Sequence, residues 1–348
     1  MSDIRKRKAD HLALCATDDV AFRERTTLLE CVELVHDSLP ELSMDELDTS
    51  VTMFGKRLRA PILIAAMTGG TDAAGAVNHT LAKIADRRGY AFGLGSQRAM
   101  QREPGTAWTY EVRKVAPNTL IFGNVGVIQA RDQRTEAIQK LVQDIGADAL
   151  CVHMNPAQEV VQPEGDRDFR GGLDAFARLK RELNVPIIAK ETGNGISPRT
   201  AHRLREVGVS TVDVSGAGGT SWVGVETLRA EGNAKQLGLQ LWDWGVPTAA
   251  SVVFARQAGH DVIATGGIKS GLDIARAVAL GAKIGGIARP VLQAFNQGGE
   301  AGAEQFLERV ENELKTVMLL TGSRTLSHLA SAPRVLRGGL KDWLSLQQ

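Results

Sequence analysis

Short apolar stretches alternate with amphipathic segments along the chain from residue 60 onward. We count eight such stretches, each rich in Val, Ile, Leu and Ala and with a core of about four to eight residues. Apolar residues at successive positions are typical of strands that are buried on both faces. The sequence therefore predicts eight strands, which begin near Pro61, Ala91, Thr119, Ala147, Val185, Ser210, His260 and Ala282.

The segments between the predicted strands carry the signals of helix ends. Ser197 and Pro198 open one segment and Gly208 closes it. This pattern predicts a helix with a capping Ser, a Pro in its first turn and a Gly just past its end. The segment 270–281 repeats the arrangement, and we predict further helices at 75–89, 172–183 and 247–259.

Eight strand–helix units predict an α/β protein, a closed (β/α)8 TIM barrel with an N-terminal extension. Strand starts lie mostly about 22 to 38 residues apart, as expected of βα units. The exception is the interval from Ser210 to His260, which holds an insertion at 224–244. An open doubly wound sheet is the alternative, although no GxGxxG follows the first predicted strand.

Residues 1–59 are more highly charged than the rest and form the predicted extension, while residues 60–348 form the barrel. The extension contains a strand-like segment at 51–58, and we expect it to cover the bottom of the barrel or to reach a neighbouring subunit. The sequence after Gly322 predicts a short helix, a loop and a final helix from near Leu340.

Composition narrows the class of protein. The 41 Lys and Arg residues nearly balance 40 Asp and Glu residues, which argues against a nucleic-acid binder that works by bulk charge. The three cysteines show no CxxC spacing, so neither a disulfide framework nor a zinc cluster is expected. Secretory signals and apolar runs of about 18 residues are also missing. We therefore expect a cytoplasmic protein that does not bind membranes.

Polar or flexible residues follow nearly every predicted strand, at the end where TIM barrels carry their chemistry. Gly266 and Gly267 follow the seventh strand, and Ala288 and Arg289 follow the eighth. Backbone amides beside a cation predict the phosphate site that barrels commonly build there. The alternative is that these glycines serve loop geometry alone.

Other strand ends suit a flat cofactor ring. The segments 67–70 and 215–220 expose backbone amides beside small side chains, and Ser96 and Asn124 offer hydrogen bonds. Lys190 ends the fifth strand, and a buried Lys requires an anionic partner or a shifted pKa. A ring that becomes anionic on reduction would meet that requirement. The alternative is an ion pair with an acidic residue such as Glu191.

The fourth strand ends in a cluster of His153, Asn155, Gln158 and Glu159. One carboxylate with neutral amides is poor for zinc but suits magnesium, which completes its shell from phosphate and water. Glu159 is therefore the metal candidate, and a solvated Glu at a helix start is the alternative.

A second anion site is possible near the N-terminus. Arg7, Lys8 and His11 fall within about one helical turn, and together with the segment 96–98 they could bind an anion. Taken alone, the charges at 7–11 are better explained as a solvated face. Two anion sites and one carboxylate ligand would imply a phosphorylated cofactor and a separate phosphorylated substrate.

The sequence resembles the type 2, flavin-dependent isopentenyl-diphosphate isomerases over essentially its whole length. The matching segments occur in order: RKADH (7–11), RAPILIAAMTGG (59–70), GLGSQR (93–98), HMNPAQE (153–159), KETGNGIS (190–197), SGAGGTSW (215–222), WDWGVPTA (242–249) and TGGIKSGLD (265–273). Small departures occur at Ala157, at Thr192 and in the residues just before Met67. They concern details of the substrate pocket.

The resemblance implies a barrel enzyme that binds FMN and Mg2+ and requires NADPH to reduce the flavin. It implies that FMN binds Met67, Thr68, Gly69, Ser96, Asn124, Lys190, Ser215, Thr220, Gly266, Gly267, Ile268, Ala288 and Arg289. It implies that the diphosphate substrate binds Arg7, Lys8, His11, Ser96, Gln97, Arg98, His153, Asn155, Gln158 and Trp222. Mg2+ would lie on Glu159, the N-terminal extension would contribute to the substrate site, and the chain would form homotetramers or homo-octamers.

The reaction implied is the interconversion of isopentenyl and dimethylallyl diphosphate, which adds one proton and removes another. Gln158 is a neutral amide and a poor acid at pH 7. We therefore hypothesise that the proton comes from reduced FMN, held as an anion at N1 by Lys190. The other catalytic candidates, Gln158 and His153, would fix the diphosphate and orient the alkene.

Three other classes of protein fit parts of the pattern. A 2-hydroxy-acid oxidase or dihydroorotate type of enzyme would transfer hydride, but the oxidases need a His–Arg pair at late strand ends, where neither His260 nor His328 lies. A purine-nucleotide dehydrogenase would need a Cys in the loop 215–222. A barrel that only binds a phosphorylated ligand would take up no FMN.

Overall fold

The computed structural model describes residues 3–16 and 20–346, and a closed barrel of eight parallel strands forms its centre. The strands are β1 (Val32–Leu34), β2 (Val51–Met53), β3 (Lys56–Leu58), β4 (Ile62–Ile64), β5 (Ala91–Gly93), β6 (Leu120–Gly126), β7 (Ala149–Met154), β8 (Ile187–Glu191), β9 (Thr211–Asp213), β10 (Asp261–Ala264), β11 (Ile284–Ile287) and β12 (Arg334–Leu336). Strands β4 to β11 pair in chain order, and β11 pairs with β4 to close the barrel. The (β/α)8 TIM barrel is confirmed, and the open sheet is excluded.

Helices follow the barrel strands as the sequence predicts. They are α1 (Asp3–Cys15), α2 (Asp72–Arg88), α3 (Arg98–Arg102), α4 (Val127–Asp132), α5 (Thr135–Asp144), α6 (Pro156–Val161), α7 (Gly172–Glu182), α8 (Pro198–Glu206), α9 (Trp222–Arg229), α10 (Gly232–Gln240), α11 (Thr248–Gln257), α12 (Gly271–Ala279), α13 (Arg289–Leu320), α14 (Leu326–Ser331) and α15 (Gly338–Leu344). The caps are as expected: Ser197 accepts from the Thr200 amide, and Ser270 accepts from the Asp273 amide. Helix α2 begins before residue 75, because Thr71 caps it.

Several elements differ in detail from the sequence-based expectation. The insertion at 224–244 contains most of α9 and all of α10. The strand-like segment 51–58 is a hairpin, in which β2 pairs antiparallel with β3. Strand β12 was not predicted, and it pairs antiparallel with β1, which joins the two ends of the chain.

The hairpin β2–β3 lies against the amino ends of the barrel strands. Met53 and Leu58 are buried in one apolar cluster with residues of the barrel interior, among them Phe122. Lys56 donates to the Thr119 carbonyl at the start of β6 and pairs with Asp148 at the start of β7 (2.8 Å). Part of the segment 1–59 therefore covers the bottom of the barrel and leaves the carboxyl ends for a site.

Among the described residues, every helix is too short or too polar to cross a bilayer.

Candidate active site

A deep cavity of about 490 Å³ lies at the carboxyl ends of the barrel strands. It brings together all but two of the residues expected to bind cofactor, substrate or metal. Those that line it are Arg7, Lys8, His11, Met67, Thr68, Ser96, Arg98, Asn124, His153, Asn155, Gln158, Glu159, Lys190, Ser215, Thr220, Trp222, Gly266, Gly267, Ile268, Ala288 and Arg289.

The two exceptions, Gly69 and Gln97, lie just outside the cavity. Gln97 is fully buried and points away from it, donating to the Leu141 carbonyl and accepting from the Asn124 amide (both 3.0 Å). At position 69, a side chain would collide with the ring of Tyr110, so glycine is required by packing. Gln97 thereby supports Asn124, which does reach the cavity.

Glycines at one end of the cavity form a tight backbone cradle. Gly266 and Gly267 follow β10 with φ of 96° and 73°, which favour glycine. A side chain at Gly219 would collide with the backbone of Gly267. Helix α12 begins close by at Gly271, and Lys269 joins the cavity lining. Backbone amides, a helix N-terminus and cations make this end suitable for a phosphate group.

Lys190 is the last but one residue of β8 and faces the cavity, but its ion-pair partner is Asp213 at the end of β9. The Nζ–Oδ2 distance is 2.8 Å, and the two residues are direct partners in the parallel pairing of β8 with β9. Thr265 donates to the other carboxylate oxygen of Asp213. The ion-pair alternative therefore applies to Lys190, with Asp213 in place of Glu191, a partner that no local pattern in the sequence indicates.

Glu191 instead organises the loop that follows β8. Its Oε2 accepts from the backbone amides of the four residues 192–195 at 2.5 to 3.2 Å. Burial raises the pKa of Glu191 to about 7, although the amides of residues 192–194 and the charge of Lys190 favour the ionised form. The loop supplies Thr192 and Gly193 to the cavity wall.

A hydrogen bond to Asn124 on the neighbouring strand β6 holds His153 as a neutral imidazole. Its Nδ1 lies 2.7 Å from Asn124 Oδ1, which makes Nδ1 the donor and leaves Nε2 as an acceptor. Burial and the nearby charges of Lys8, Lys190 and Arg98 lower the pKa of His153 to about 3. An anion bound beside these cations would raise that pKa again.

Helix α1 lies over the opening and brings cations to it. Burial and the charges of Arg7 and Arg98 lower the pKa of Lys8 to about 8. Arg7 Nε is buried, and no acceptor for it occurs in the part of the chain that the structure describes. The cations at 7, 8 and 98 therefore repel one another until an anion binds, so they are not simply a solvated face.

A fully buried carboxylate, Glu226 on α9, links α1 to the cavity wall. It accepts from His11 Nε2 (2.9 Å), Gln158 Nε2 (3.0 Å) and Arg229. The ring of His11 also packs edge-on against Trp222 at 5.2 Å. Sequence analysis missed Glu226, since a single Glu in a helical segment carries no distinguishing signal.

Glu159 is buried against amide donors rather than solvated. Its Oε1 accepts from Asn155 Nδ2 (2.9 Å), and its Oε2 accepts from the Asp166 amide (2.8 Å). Across residues 3–16 and 20–346, no three His, Cys, Asp or Glu side chains come together as a metal cluster. Any divalent cation on Glu159 would therefore need further ligands from substrate phosphate and water.

The histidines that an oxidase would need are elsewhere. His260 precedes β10 and contacts the Ala201 carbonyl (2.8 Å), while His328 lies on α14. Neither residue lines the cavity.

Known proteins with similar sequence and fold identify the family. The model of the FMN-dependent dehydrogenase family matches residues 2–159 and 154–336. An isopentenyl-diphosphate delta-isomerase of Thermococcus kodakarensis is 45% identical over 349 residues, covering 97% of this chain and 93% of that protein. One from a Nostoc species is also 45% identical, over 328 residues and 93% of both chains.

A solved structure supports the fold. A mandelate oxidase variant with an FMN adduct matches with a TM-score of 0.65 at 17% identity, covering 97% of this chain and 100% of that one. The full-length similarity to named isomerases is much stronger, and it agrees with the resemblance inferred from the sequence segments. The chain therefore belongs to the FMN-dependent dehydrogenase family and, within it, to the isopentenyl-diphosphate delta-isomerases, and it is an enzyme.

Proposed function

We propose that this enzyme interconverts isopentenyl diphosphate and dimethylallyl diphosphate, using reduced FMN as an acid–base cofactor, with Mg2+ and with NADPH as the flavin reductant. One observation carries the proposal: one cavity is lined by a glycine cradle after β10 and, apart from it, by the cations Arg7 and Lys8 of α1 together with Arg98. A phosphorylated cofactor and a diphosphate substrate can therefore bind side by side.

The residues present fit FMN. Its phosphate would lie on the amides of Gly266, Gly267 and Ile268 and beside Arg289, where the backbone leaves no room for side chains. Its ring would face Lys190 and Asn124, with Met67, Thr68, Gly69, Ser96, Ser215, Thr220 and Ala288 around it. When bound and reduced, FMN supplies an electron-rich ring that can donate and accept a proton.

The substrate diphosphate would bind the cations that α1 and Arg98 bring to the cavity. Arg7, Lys8, Arg98 and His11 would bind it, together with Gln97 acting through its support of the loop, and with Ser96, Asn155 and Trp222. The mutual repulsion that lowers the pKa of Lys8 to about 8 would be relieved by the added negative charge. Substrate binding is then favoured because the free site holds more positive charge than it can neutralise.

Mg2+ would bind between Glu159 and the substrate diphosphate. The two hydrogen bonds to Glu159 fix the carboxylate, and one protein carboxylate is a common arrangement for Mg2+. The cation would neutralise part of the charge on the diphosphate, and Arg7 and Arg98 would still bind the rest of that charge.

The side chains of this chain position the alkene and control protons. Gln158 is held by Glu226, and His153 is held by Asn124, so both present fixed polar atoms to the diphosphate and the prenyl chain. Lys190 would keep the reduced ring anionic, so that negative charge lies next to the carbocation that protonation creates. Helix α1 would exclude water from that cation.

We also propose that residues 1–59 contribute to the substrate site, that residues 60–348 form the barrel that binds FMN, and that the enzyme works in the cytoplasm. Assembly as a homotetramer or homo-octamer is part of the same proposal. Size-exclusion chromatography with light scattering tests it, and a monomer at micromolar concentration would contradict it.

The decisive experiment is an anaerobic incubation with FMN, NADPH, Mg2+ and isopentenyl diphosphate. We expect dimethylallyl diphosphate to form with many turnovers per NADPH consumed, because the reaction has no net redox change. Purified protein that stays colourless after incubation with FMN would contradict the proposal. Product formation in strict proportion to NADPH would contradict it as well.

A further inference from the structure

Asp213 and Lys190 form a buried ion pair in which only the lysine reaches the cavity. The exposed fraction of the Lys190 side chain is 9%, and that of Asp213 is 3%. Lys190 lines the cavity, whereas Asp213 lies behind it in the barrel interior. Their Cα positions are register partners on β8 and β9, so the two rigid strands fix the contact.

Both oxygens of Asp213 are occupied. Oδ2 accepts from Lys190 Nζ at 2.8 Å, and Oδ1 accepts from the hydroxyl of Thr265, which follows β10. Three neighbouring strands thus contribute to one chain of polar groups, Thr265–Asp213–Lys190. A buried carboxylate with both oxygens hydrogen-bonded is held in place beside the lysine.

The pair changes what a ligand in the cavity experiences. A lone Lys190 would present a full positive charge, but a carboxylate at contact distance cancels most of its field beyond the ammonium group. The ligand therefore meets a short dipole with its positive end outward. The strength of that field depends on how much charge Asp213 contributes.

This inference rests on the proposed binding of FMN. We propose that Asp213 is a positioning residue that sets how strongly Lys190 stabilises the anionic reduced flavin over the oxidised flavin. It holds the ammonium group at the cavity floor and limits its charge, so that the reduced ring is stabilised enough to form but remains basic enough to take up a proton.

Glu191 cannot take this role, although it is the next residue along the chain. Its Oε2 is engaged by four backbone amides of the loop 192–195. Successive residues of a strand point to opposite faces, so Lys190 and Glu191 lie on different sides of β8.

The test is the two-electron reduction potential of bound FMN in the Asp213→Asn variant, measured by anaerobic dye-coupled titration. Asn keeps the shape and one acceptor but removes the opposing charge. We expect the ratio of reduced-flavin to oxidised-flavin affinity to rise about tenfold or more, which is a positive shift of about 30 mV or more for a two-electron couple. An unchanged or more negative potential would overturn the proposal.

A double-mutant cycle separates charge tuning from general damage to the barrel. In the Lys190→Gln variant the carboxylate of Asp213 is unopposed, so the ratio of reduced-flavin to oxidised-flavin affinity should fall about tenfold or more. Adding Asp213→Asn should recover most of that loss, because both charges of the pair are then removed together. A double variant whose ratio stays as low as that of Lys190→Gln alone would overturn the proposal. Cys151→Ala, a buried neighbour on β7 without charge, is the matched control and should not move the potential.

A second variant serves if Asp213→Asn does not accumulate as folded protein. Thr265→Val removes one hydrogen bond from Asp213 and concentrates its negative charge toward Lys190. The affinity ratio should then fall about twofold to threefold, opposite to the effect of Asp213→Asn, because a carboxylate that no longer shares its charge with a hydroxyl donor cancels more of the lysine charge. A rise would contradict the proposal.

Failure of this proposal is distinguishable from failure of the proposed function. Wild-type protein that binds FMN and isomerises its substrate, with no potential shift in Asp213→Asn, contradicts the role of Asp213 alone. A potential shift in a protein that forms no dimethylallyl diphosphate contradicts the isomerase function and supports the role of Asp213.

Discussion

Lys8 is a cation in surroundings that oppose its charge. Burial, Arg7 and Arg98 together lower its pKa to about 8, far below the ordinary value for lysine. In the free enzyme it is therefore charged below pH 8 and increasingly neutral above it. Binding of a diphosphate favours the charged form, so the pKa of Lys8 must be higher in the complex than in the free enzyme.

The KM for isopentenyl diphosphate should rise as the pH increases above about 8, by up to about tenfold per pH unit, because binding then requires uptake of a proton. Steady-state kinetics between pH 6.5 and 9.5 measure this. Lys8→Arg should flatten the rise, since a guanidinium stays charged throughout that range. A variant profile as steep as the wild-type profile would show that another group is responsible.

The proposed binding of Mg2+ to Glu159 can be tested by removing the carboxylate. In Glu159→Gln, Mg2+ should no longer stimulate turnover and kcat/KM should fall by about 100-fold or more, because the anionic ligand is gone. FMN content should be unchanged, since Glu159 lies among the expected substrate ligands. Magnesium titrations of activity together with flavin absorbance measure both effects.

Glu164→Gln is the matched control for that change, because Glu164 is exposed in the same segment. It should behave as wild type. Undiminished stimulation by Mg2+ in Glu159→Gln would place the metal elsewhere.

Residue types at strand ends could be predicted from the sequence, whereas their partners could not. Because Lys190, His153 and Glu159 lie at or just after the ends of predicted strands, their location at the cavity could be predicted. The choice of Asp213 over Glu191 as the partner of Lys190 depends on the register between β8 and β9. Register is a property of the closed barrel and leaves no local pattern in the chain.

Among the elements, α1 has the clearest functional consequence. It contacts the rest of the protein through His11–Glu226 and Asp10–Arg229, and it carries Arg7 and Lys8 to the cavity. The expected ligands of the flavin lie on barrel loops. The helix should therefore matter for the substrate far more than for the cofactor.

Removal of residues 1–11 should raise the KM for isopentenyl diphosphate about 100-fold or more, because two cations and one imidazole leave the site. The Kd of FMN should change less than about threefold. Steady-state kinetics and fluorescence titration with FMN measure the two effects. Parallel losses of both affinities would indicate that α1 supports the whole cavity instead.

Helix ends were predicted well wherever a capping residue and a terminal glycine occur together, as in α8 and α12. The strand β12 was missed because three residues with an exposed pattern carry no periodic signal. Its partner β1 lies about 300 residues earlier, and such a distant pairing cannot be inferred from local sequence.

At the scale of the whole molecule, the two ends of the barrel have separate tasks. The hairpin β2–β3 seals the amino end with buried Met53 and Leu58, and the carboxyl end holds the cavity. Stability and binding should therefore respond to different substitutions, as is usual for TIM barrels.

Met53→Ala should lower the free energy of unfolding by about 2–4 kcal/mol, because it leaves a cavity in the sealed end. The Kd of FMN should be unchanged. Urea unfolding followed by circular dichroism measures the first quantity, and flavin fluorescence measures the second. Thr52→Ala, an exposed neighbour in the hairpin, should change stability by less than about 0.5 kcal/mol.

If Met53→Ala weakened FMN binding as much as it weakened folding, the two ends of the barrel would not be independent.

The barrel itself could be predicted from the sequence because eight strand–helix repeats dominate the chain. The way in which the first 59 residues divide between the two ends was not, since it depends on tertiary contacts made by Met53 and His11 with distant parts of the chain.

The pairing of β1 with β12 has a consequence for biosynthesis. A ribosome makes residues 32–34 early, but their partners at 334–336 only just before it releases the protein. Until then the leading segment has an unpaired strand edge, while the barrel strands can already assemble behind it. Pairing of β1 is therefore completed among the last steps, and nascent chains that stall before residue 334 should expose the segment around β1 to proteases.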